Sequence, residues 1–304
     1  MYETVQNFFT ILRPMAPLPD LSIRQFEYLV AVSEAPTWAL AAQDVGVSPS
    51  ALSQGLAELE RRLGLDLFER HGRRRRIRPT ARPVVDHARR VLALTSDLAR
   101  WSAQVRSGST GRVRVGMIDA AAVLHFPDEL RDFRRDRPDV DLHLTVAPSA
   151  TLLEQLVTGS IDLVVCVGSP DVPPGLRVEP LMPDKLFVYA PDGDVPEDPG
   201  RWGPWVLFPA DSHTRRLVVE ALARTGAPIE VVAESHQPDV LREMVRLGMG
   251  WTVLPGTQAG RGDQRLHGGR QLVTRQLVLA RRAESVLDPA VDVLARALVS
   301  AADR

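Results

Sequence analysis

At 304 residues the chain is too long for one small domain and suits two or three. Its composition, 44% hydrophobic and 25% charged, excludes a disordered chain, and no apolar run approaches the ~20 residues of a membrane-spanning helix. A formal net charge of −1 hides an asymmetry. Residues 1–108 hold 15 arginines against 11 acidic residues, and residues 109–304 hold 22 basic against 27 acidic ones, so the front attracts a polyanion and the back does not.

Residues 1–20 lack the basic start and apolar core of a secretory signal and read as a flexible tail, within which Met15 is an alternative start. Ser22 then opens a helix as a capping box with Gln25, and Phe26, Leu29, Val30 and Val32 form its apolar face. Pro36 ends that segment and Thr37 caps a second helix carrying Trp38, Ala41, Ala42 and Val45 at helical spacing. Gly46 permits a tight turn, Ser48 caps a third helix, and Pro49 sits at its first position, where a missing N–H costs nothing. Ala51, Leu52, Leu56, Leu59 and Leu63 are its buried stripe; Ser50, Ser53, Gln54 and Ala57 face the other way. Gly55 in mid-helix has two explanations, a close approach to DNA or crowding against the first helix. A Gly turn and a third helix with a small polar outer face suit a major groove, where Ser and Gln bond base edges or phosphates.

Residues 65–80 then read as strand, Gly turn and strand, a wing whose Arg70, Arg73, Arg74, Arg75, Arg76 and Arg78 reach phosphates or a narrow minor groove. An arginine run is often only a solvated face, but its place directly behind a helix-turn-helix favours the nucleic-acid reading.

The stretch Ile23-Arg24-Gln25-Phe26-Glu27-Tyr28-Leu29-Val30-Ala31-Val32 resembles the opening of the LysR-type transcriptional regulators. So do Ala41-Ala42, Val47-Ser48, Ala51-Leu52-Ser53, Leu59-Glu60, Leu63-Gly64 and Leu67-Phe68-Glu69-Arg70, in the family's order and spacing. The resemblance implies DNA-contact roles for Ser48, Ser53 and Arg70, whereas Ser50 and Gln54 are assigned from the helix face alone. The chain also departs from the family's pattern. Pro49-Ser50 stand where the family has Gln-Pro, Gln54-Gly55 where it has Arg-Gln, and Leu40 replaces an arginine of the second helix. Residues 78–82, Arg-Pro-Thr-Ala-Arg, replace the family's Thr-Glu-Ala-Gly.

Residues 83–107 form one amphipathic helix. Val84, Ala88, Val91, Thr95, Leu98, Ser102 and Val105 make a heptad seam, which suits pairing of two subunits, with packing on its own chain as the alternative. The resemblance implies a homodimer through this helix, assembly into a homotetramer, and double-stranded DNA bound at an interrupted palindrome. Residues 108–111, Gly-Ser-Thr-Gly, are a joint.

Strands and helices then alternate, which predicts an α/β architecture. Strands are expected at 113–118, 142–146, 161–167, 186–190, 205–208, 229–233, 251–255 and 276–280, and helices at 124–137, 152–157, 215–224, 239–247 and 288–302; the proline-rich 170–199 otherwise reads as loops. This half resembles the two-subdomain effector domain of the same regulators, itself like type 2 periplasmic binding proteins. The expected division is therefore a tail (1–20), a winged helix-turn-helix (21–82), a dimerisation linker helix (83–108) and an effector-binding domain (109–304).

Ligands in open α/β sheets sit beyond the carboxyl ends of the strands, where helix N-termini offer N–H groups to anions. The candidates there are Asp119, Ala120, Ser149, Thr151, Ser212, His213, Thr214 and Gln237, with His236 beside them. Ser149 and Ser212 are expected to cap helices and touch a small carboxylate, while Asp119 favours an amine or hydroxyl. Cys166, the one cysteine, lies in the apolar run 161–167 and reads as a core residue of a protein in the reducing cytoplasm. No histidine stands at metal spacing with another histidine or the cysteine, and no glycine-rich phosphate loop or nucleophile elbow is present, so neither cofactor, metal nor enzymatic activity is expected. The competing readings are a DNA-binding regulator without a ligand and a solute-binding protein; the latter leaves the front domain unexplained.

Overall fold

In the computed structural model, which describes residues 19–71, 74–107, 111–260, 265–285 and 288–303, the first helix α1 (Ile23–Glu34) begins at the expected capping box. Ser22 Oγ accepts from Gln25 N–H, and the Gln25 side chain accepts from Ser22 N–H. Thr37 caps α2 (Trp38–Asp44), and Gly46, at φ +69°, makes the left-handed turn into α3 (Pro49–Leu63). The chain divides into two compact units, Met1–Leu92 and Ala93–Arg304.

In the first unit Leu29, Ala41, Leu52, Leu56, Leu59 and Leu67 are fully buried in one core; burying a leucine contributes about 1.5–3 kcal/mol. The wing is a two-stranded antiparallel ribbon, β1 (Phe68–His71) and β2 (Arg74–Ile77), with Arg70 opposite Arg75 and Glu69 opposite Arg76. Glu60 Oε1 accepts from the backbone N–H groups of Leu67 and Phe68 at 2.7 and 3.2 Å and fixes the entry to β1. Gly55 faces α1: a Cβ there would lie 2.7 Å from the Tyr28 ring, so crowding against the first helix explains the glycine.

Helix α4 (Arg82–Ser107) serves both units. Val85 and Ala88 are buried in the first core, with Val84, Val91 and Leu92 packed beside them. Three residues of the expected pairing seam, Val84, Ala88 and Val91, are therefore taken up inside their own chain, and in the second half Leu98 (54% exposed) and Trp101 (44%) are the exposed large apolar residues among the described residues. Ala93 and Asp97 are buried in the second unit. There Arg282 donates to both Asp97 carboxylate oxygens at 2.9 and 3.1 Å and to the carbonyls of Leu156 and Ile161 at 2.7 and 2.6 Å. Arg100 and Ser285 also bond Asp97, and Arg114 pairs with Asp162 at 2.5 Å.

The second unit carries a six-stranded sheet, β4 (Asp141–Val146), β3 (Arg112–Met117), β5 (Leu163–Val167), β10 (Arg270–Arg282), β6 (Leu176–Tyr189) and β9 (Thr252–Pro255) in that order. β3, β4 and β5 run parallel, while β10 is antiparallel to both β5 and β6. α5 (Pro127–Asp136), α6 (Ser149–Val157) and α10 (Pro289–Ala302) pack on the first half of this sheet around a core that includes Phe126, Leu152, Leu156, Val165 and Leu294. The second half builds β7 (Trp205–Leu207) parallel to β8 (Val231–Glu234), covered by α7 (His213–Thr225), α8 (Pro238–Arg246) and the short α9 (Gly256–Ala259). Burial pushes the Cys166 thiol up to about 12, as suits a residue of the core.

Three expectations need correction. β6 covers 14 residues through a stretch expected to be loop. Its prolines are tolerated because Pro180 and Pro183 pair with β10 on one side only; β9 covers the other side from Leu186 onward, so no ladder donor is missed there. β10 is likewise longer than the expected 276–280. α5 begins at Pro127 rather than 124, because Ala121–His125 form a wide π turn.

Candidate nucleic-acid interface and ligand cavity

On the first unit, Ser48 Oγ caps α3 by accepting from Ala51 N–H, and stands 3.3 Å from Ser50 Oγ. Ser48, Ser50 and Gln54 are exposed along α3, with Ser53 half-buried beside them. Glu58, on the same helix, is held by Arg61 and Arg62 at 2.5 Å each; the hydrogen bond from Arg61 is the main reason its carboxyl falls to about 2. In the wing, Arg75 and Arg76 are exposed, and the Arg75 guanidinium lies 5.2 Å from the centre of the Trp38 ring. Arg70 and Arg74 occupy the paired strands, and Arg73 lies outside the described residues. Arg78 departs from the expected outward role. It is half-buried, its Nε donates to the Phe68 carbonyl at 3.2 Å, and it ties down the base of the wing.

On the second unit, a cavity of about 390 Å3 opens at the carboxyl ends of the parallel strands. Asp119 and Ala120 after β3, Pro148 and Ser149 after β4, and Val167 at the end of β5 form one wall. Phe208, Ser212, Thr214, His236, Gln237, Asp239 and Gln258 form the other, and Arg275 of β10 reaches in from between. Asp119 Oδ1 accepts from Gln258 Nε2 at 2.8 Å, a bond that spans the two walls.

Arg275 is buried and faces Asp184 directly across the β10–β6 ladder. Its Nε and Nη2 donate to Asp184 Oδ2 at 2.9 and 2.7 Å, and Nη1 donates to Thr214 Oγ1 at 2.8 Å. Burial lowers the Arg275 pKa against the opposing pull of Asp184 and Asp119. Burial would raise the Asp184 carboxyl, but His125, with Nε2 3.7 Å from Oδ1, and Arg275 outweigh it and hold the carboxyl below its ordinary range.

Six of the eight expected cavity residues line it: Asp119, Ala120, Ser149, Ser212, Thr214 and Gln237. Thr151 does not; it is exposed in the first turn of α6. Nor does His213, whose Nδ1 lies 3.3 Å from the Val167 carbonyl. Ser149 is not a helix cap. Pro148 holds that position, and Ser149 Oγ accepts from Val167 N–H at 3.2 Å. Ser212 does cap α7, accepting from Arg215 N–H.

Residues 23–82 match the family described as bacterial regulatory helix-turn-helix protein, lysR family, and residues 106–303 match the LysR substrate binding domain. The chain belongs to the LysR family. It is a DNA-binding transcriptional regulator with an effector-binding domain. Among LysR relatives, the transcriptional regulator EstR of Acinetobacter baylyi is 36% identical over 174 residues, an alignment spanning 57% of this chain and 57% of that protein. IlvR of Caulobacter vibrioides is 26% identical over 78% of this chain and 83% of its own length. In fold, the chain resembles ArgP from Mycobacterium tuberculosis (TM-score 0.61, 20% identity, 91% of this chain and 96% of that one) and full-length CbnR complexed with target DNA (TM-score 0.60, 19% identity, 92% and 100%).

Within this LysR scaffold, Arg275, Gln258, Asp239 and Phe208 are cavity residues that the reading by strand ends and helix starts misses. Arg275 leaves one trace in the sequence. Val273, Arg275, Leu277 and Leu279 alternate on one side of β10, and a charge placed among apolar residues on the inward side of a strand needs a partner.

Proposed function

We propose that this regulator works in the cytoplasm as a homodimer, assembled further into a homotetramer, and binds an interrupted palindrome of double-stranded DNA under control of a small molecule in the cavity of its second unit. Its working divisions are the tail 1–20, the winged helix-turn-helix 21–82, the linker helix 83–108 and the effector-binding domain 109–304. The observation that carries this reading is the cavity at the strand ends of the second unit, on the same chain as a helix-turn-helix with exposed polar residues.

Ser48, Ser50, Ser53 and Gln54 supply base and phosphate bonds from α3. The wing arginines Arg70, Arg73, Arg74, Arg75 and Arg76 supply affinity that does not depend on sequence. Leu98 and Trp101 are exposed large apolar residues of α4 available to a partner's α4. A solved relative in complex with its target DNA, and another, the regulator LysG of Corynebacterium glutamicum, solved with bound effector arginine, support this division of labour. A regulatory rather than enzymatic role fits the neighbouring Ser212 and His213: Ser212 Oγ, in the cavity wall, accepts from the backbone of its own helix, and His213, outside the cavity, turns to the Val167 carbonyl, so the two do not form a nucleophile–base pair.

In vitro selection of bound DNA, read for an interrupted palindrome, tests the DNA half. No enriched site, with binding that only tracks salt, breaks it. For the effector half, a small molecule that shifts the thermal midpoint of the protein is expected to change operator affinity or transcription in a reconstituted system.

A further inference from the structure

We infer that the cavity selects a small zwitterion of the α-amino acid class, its carboxylate on the Arg275, Thr214 and Ser149 side and its ammonium at Asp119. This rests on the reading of the second unit as an effector domain and names the ligand's charge pattern. Ser149 (6% exposed) and Thr214 (5%) line the cavity, and each hydroxyl oxygen accepts one bond, from Val167 N–H and from Arg275 Nη1. Among the described residues neither hydroxyl has an acceptor for its own proton, so two buried donors stand ready for a ligand oxygen. Arg275 adds to them: Asp184 and Thr214 take three of its five N–H donors, and one remains on each Nη. The first turn of α6, which has no side-chain cap, opens beside Ser149 and favours the same negative charge.

The opposite requirement comes from Asp119. The other charged lining groups are already balanced, Arg275 by Asp184 and Asp239 by Arg242 at 3.1 Å. Asp119 is bonded only by the neutral amide of Gln258 among the described residues. Arg275 attracts this carboxylate through space without bonding it, and an ammonium in the cavity would be the cation in direct contact with it. A plain carboxylic acid would bring a second negative charge toward it. A plain amine would leave the hydroxyl donors and Arg275 unanswered. A volume of about 390 Å3 suits a single small molecule of this kind.

The test is calorimetric titration of the full-length protein with the proteinogenic L-amino acids, each beside its deaminated acid and its decarboxylated amine. At least one amino acid is expected to bind, with both of its analogues at least tenfold weaker. Asp119→Asn is expected to weaken the amino acid at least tenfold while leaving the deaminated acid unchanged or improved. Thr214→Val with Ser149→Ala is expected to weaken both acids and spare the amine. Binding by no amino acid, a deaminated acid that binds as well as its parent, or an unaltered preference in Asp119→Asn overturns the inference. Failure of the effector reading looks different: an amino acid binds with this pattern, yet operator affinity and transcription do not change.

Discussion

Arginine does opposite work in the two units. Lys185 is the only lysine among 37 basic residues, so nearly every positive charge in the chain is a planar guanidinium. In the wing, Arg75 and Arg76 are exposed and form no ion pair among the described residues. In the second unit, Arg282 and Arg275 are buried and each is matched to an aspartate. A charge left in water remains available to a phosphate. A charge in the interior must be paired, and then acts as a clamp that fixes which elements meet. The fork-shaped head suits both tasks, since it bonds carboxylate and phosphate through two donors at once.

Breaking the interior clamp has the largest expected effect. Arg282→Met takes from the Asp97 carboxylate its buried cationic partner and leaves it Arg100 and Ser285, and removing one partner of a buried pair costs about 3–5 kcal/mol. Circular-dichroism melting is expected to show a midpoint lowered by roughly 6–15 °C. Adding Asp97→Leu removes the buried carboxylate that Arg282 had matched and is expected to recover part of the loss. A drop within a degree or two for the single variant would show that Arg100 and Ser285 satisfy Asp97 alone, and that the interior arginine is no more essential than the exterior ones.

The next effect falls on α4, where buried and exposed faces share one helix. Replacing exposed Leu98 and Trp101 by serine removes apolar area from the proposed partner face without touching Asp97 or Ala93. Sedimentation is expected to show dimer dissociation strengthened about a hundredfold, since a buried interface tryptophan contributes on the order of 2 kcal/mol or more. An unchanged dimer would move the pairing surface elsewhere.

The exterior arginines come third. Arg75→Ala with Arg76→Ala is expected to weaken binding to any duplex about tenfold at low salt, and to reduce the slope of log affinity against log salt by about one for each phosphate that is no longer neutralised. Operator preference should persist, because bonds to phosphate carry no sequence information. Loss of preference in this variant would show that the wing reads the DNA itself.

The two units also differ in how openly the chain declares them. The helix-turn-helix is local: Ser22, Thr37 and Ser48 cap, Gly46 turns, and leucines at helical spacing point inward, so every signal lies within a few residues of its effect. The cavity residues at strand ends, Asp119, Ser149, Ser212 and Thr214, are legible for the same reason, since an alternating α/β pattern fixes where strands stop. Arg275 and Gln258 are not. Arg275 meets an aspartate 91 positions away and Gln258 one 139 positions away, and only the register of β6 against β10 and the approach of the two walls bring them together. The prolines of β6 conceal that register by making a strand resemble a loop.

The smallest predicted effect separates the two explanations for Gly55. Helix propensity alone makes alanine about 1 kcal/mol better than glycine in mid-helix, so a glycine kept clear for DNA would give a Gly55→Ala protein that is more stable and binds its operator less well. Here the added methyl lies 2.7 Å from two carbons of the Tyr28 ring, and that ring is sandwiched between α3 and the Arg24 guanidinium 5.4 Å from its centre. The methyl must displace the ring and the Arg24 side chain stacked on it, and overpacking costs about 1–3 kcal/mol. Gly55→Ala is therefore expected to lower stability by about 1 kcal/mol net, measured by urea denaturation. Trimming the ring with Tyr28→Leu should reverse the sign, so that Gly55→Ala in that background stabilises by up to ~1 kcal/mol. If Gly55→Ala stabilises the parent chain outright, the close approach belongs to the DNA and the packing of α1 on α3 is looser than the Tyr28 ring suggests.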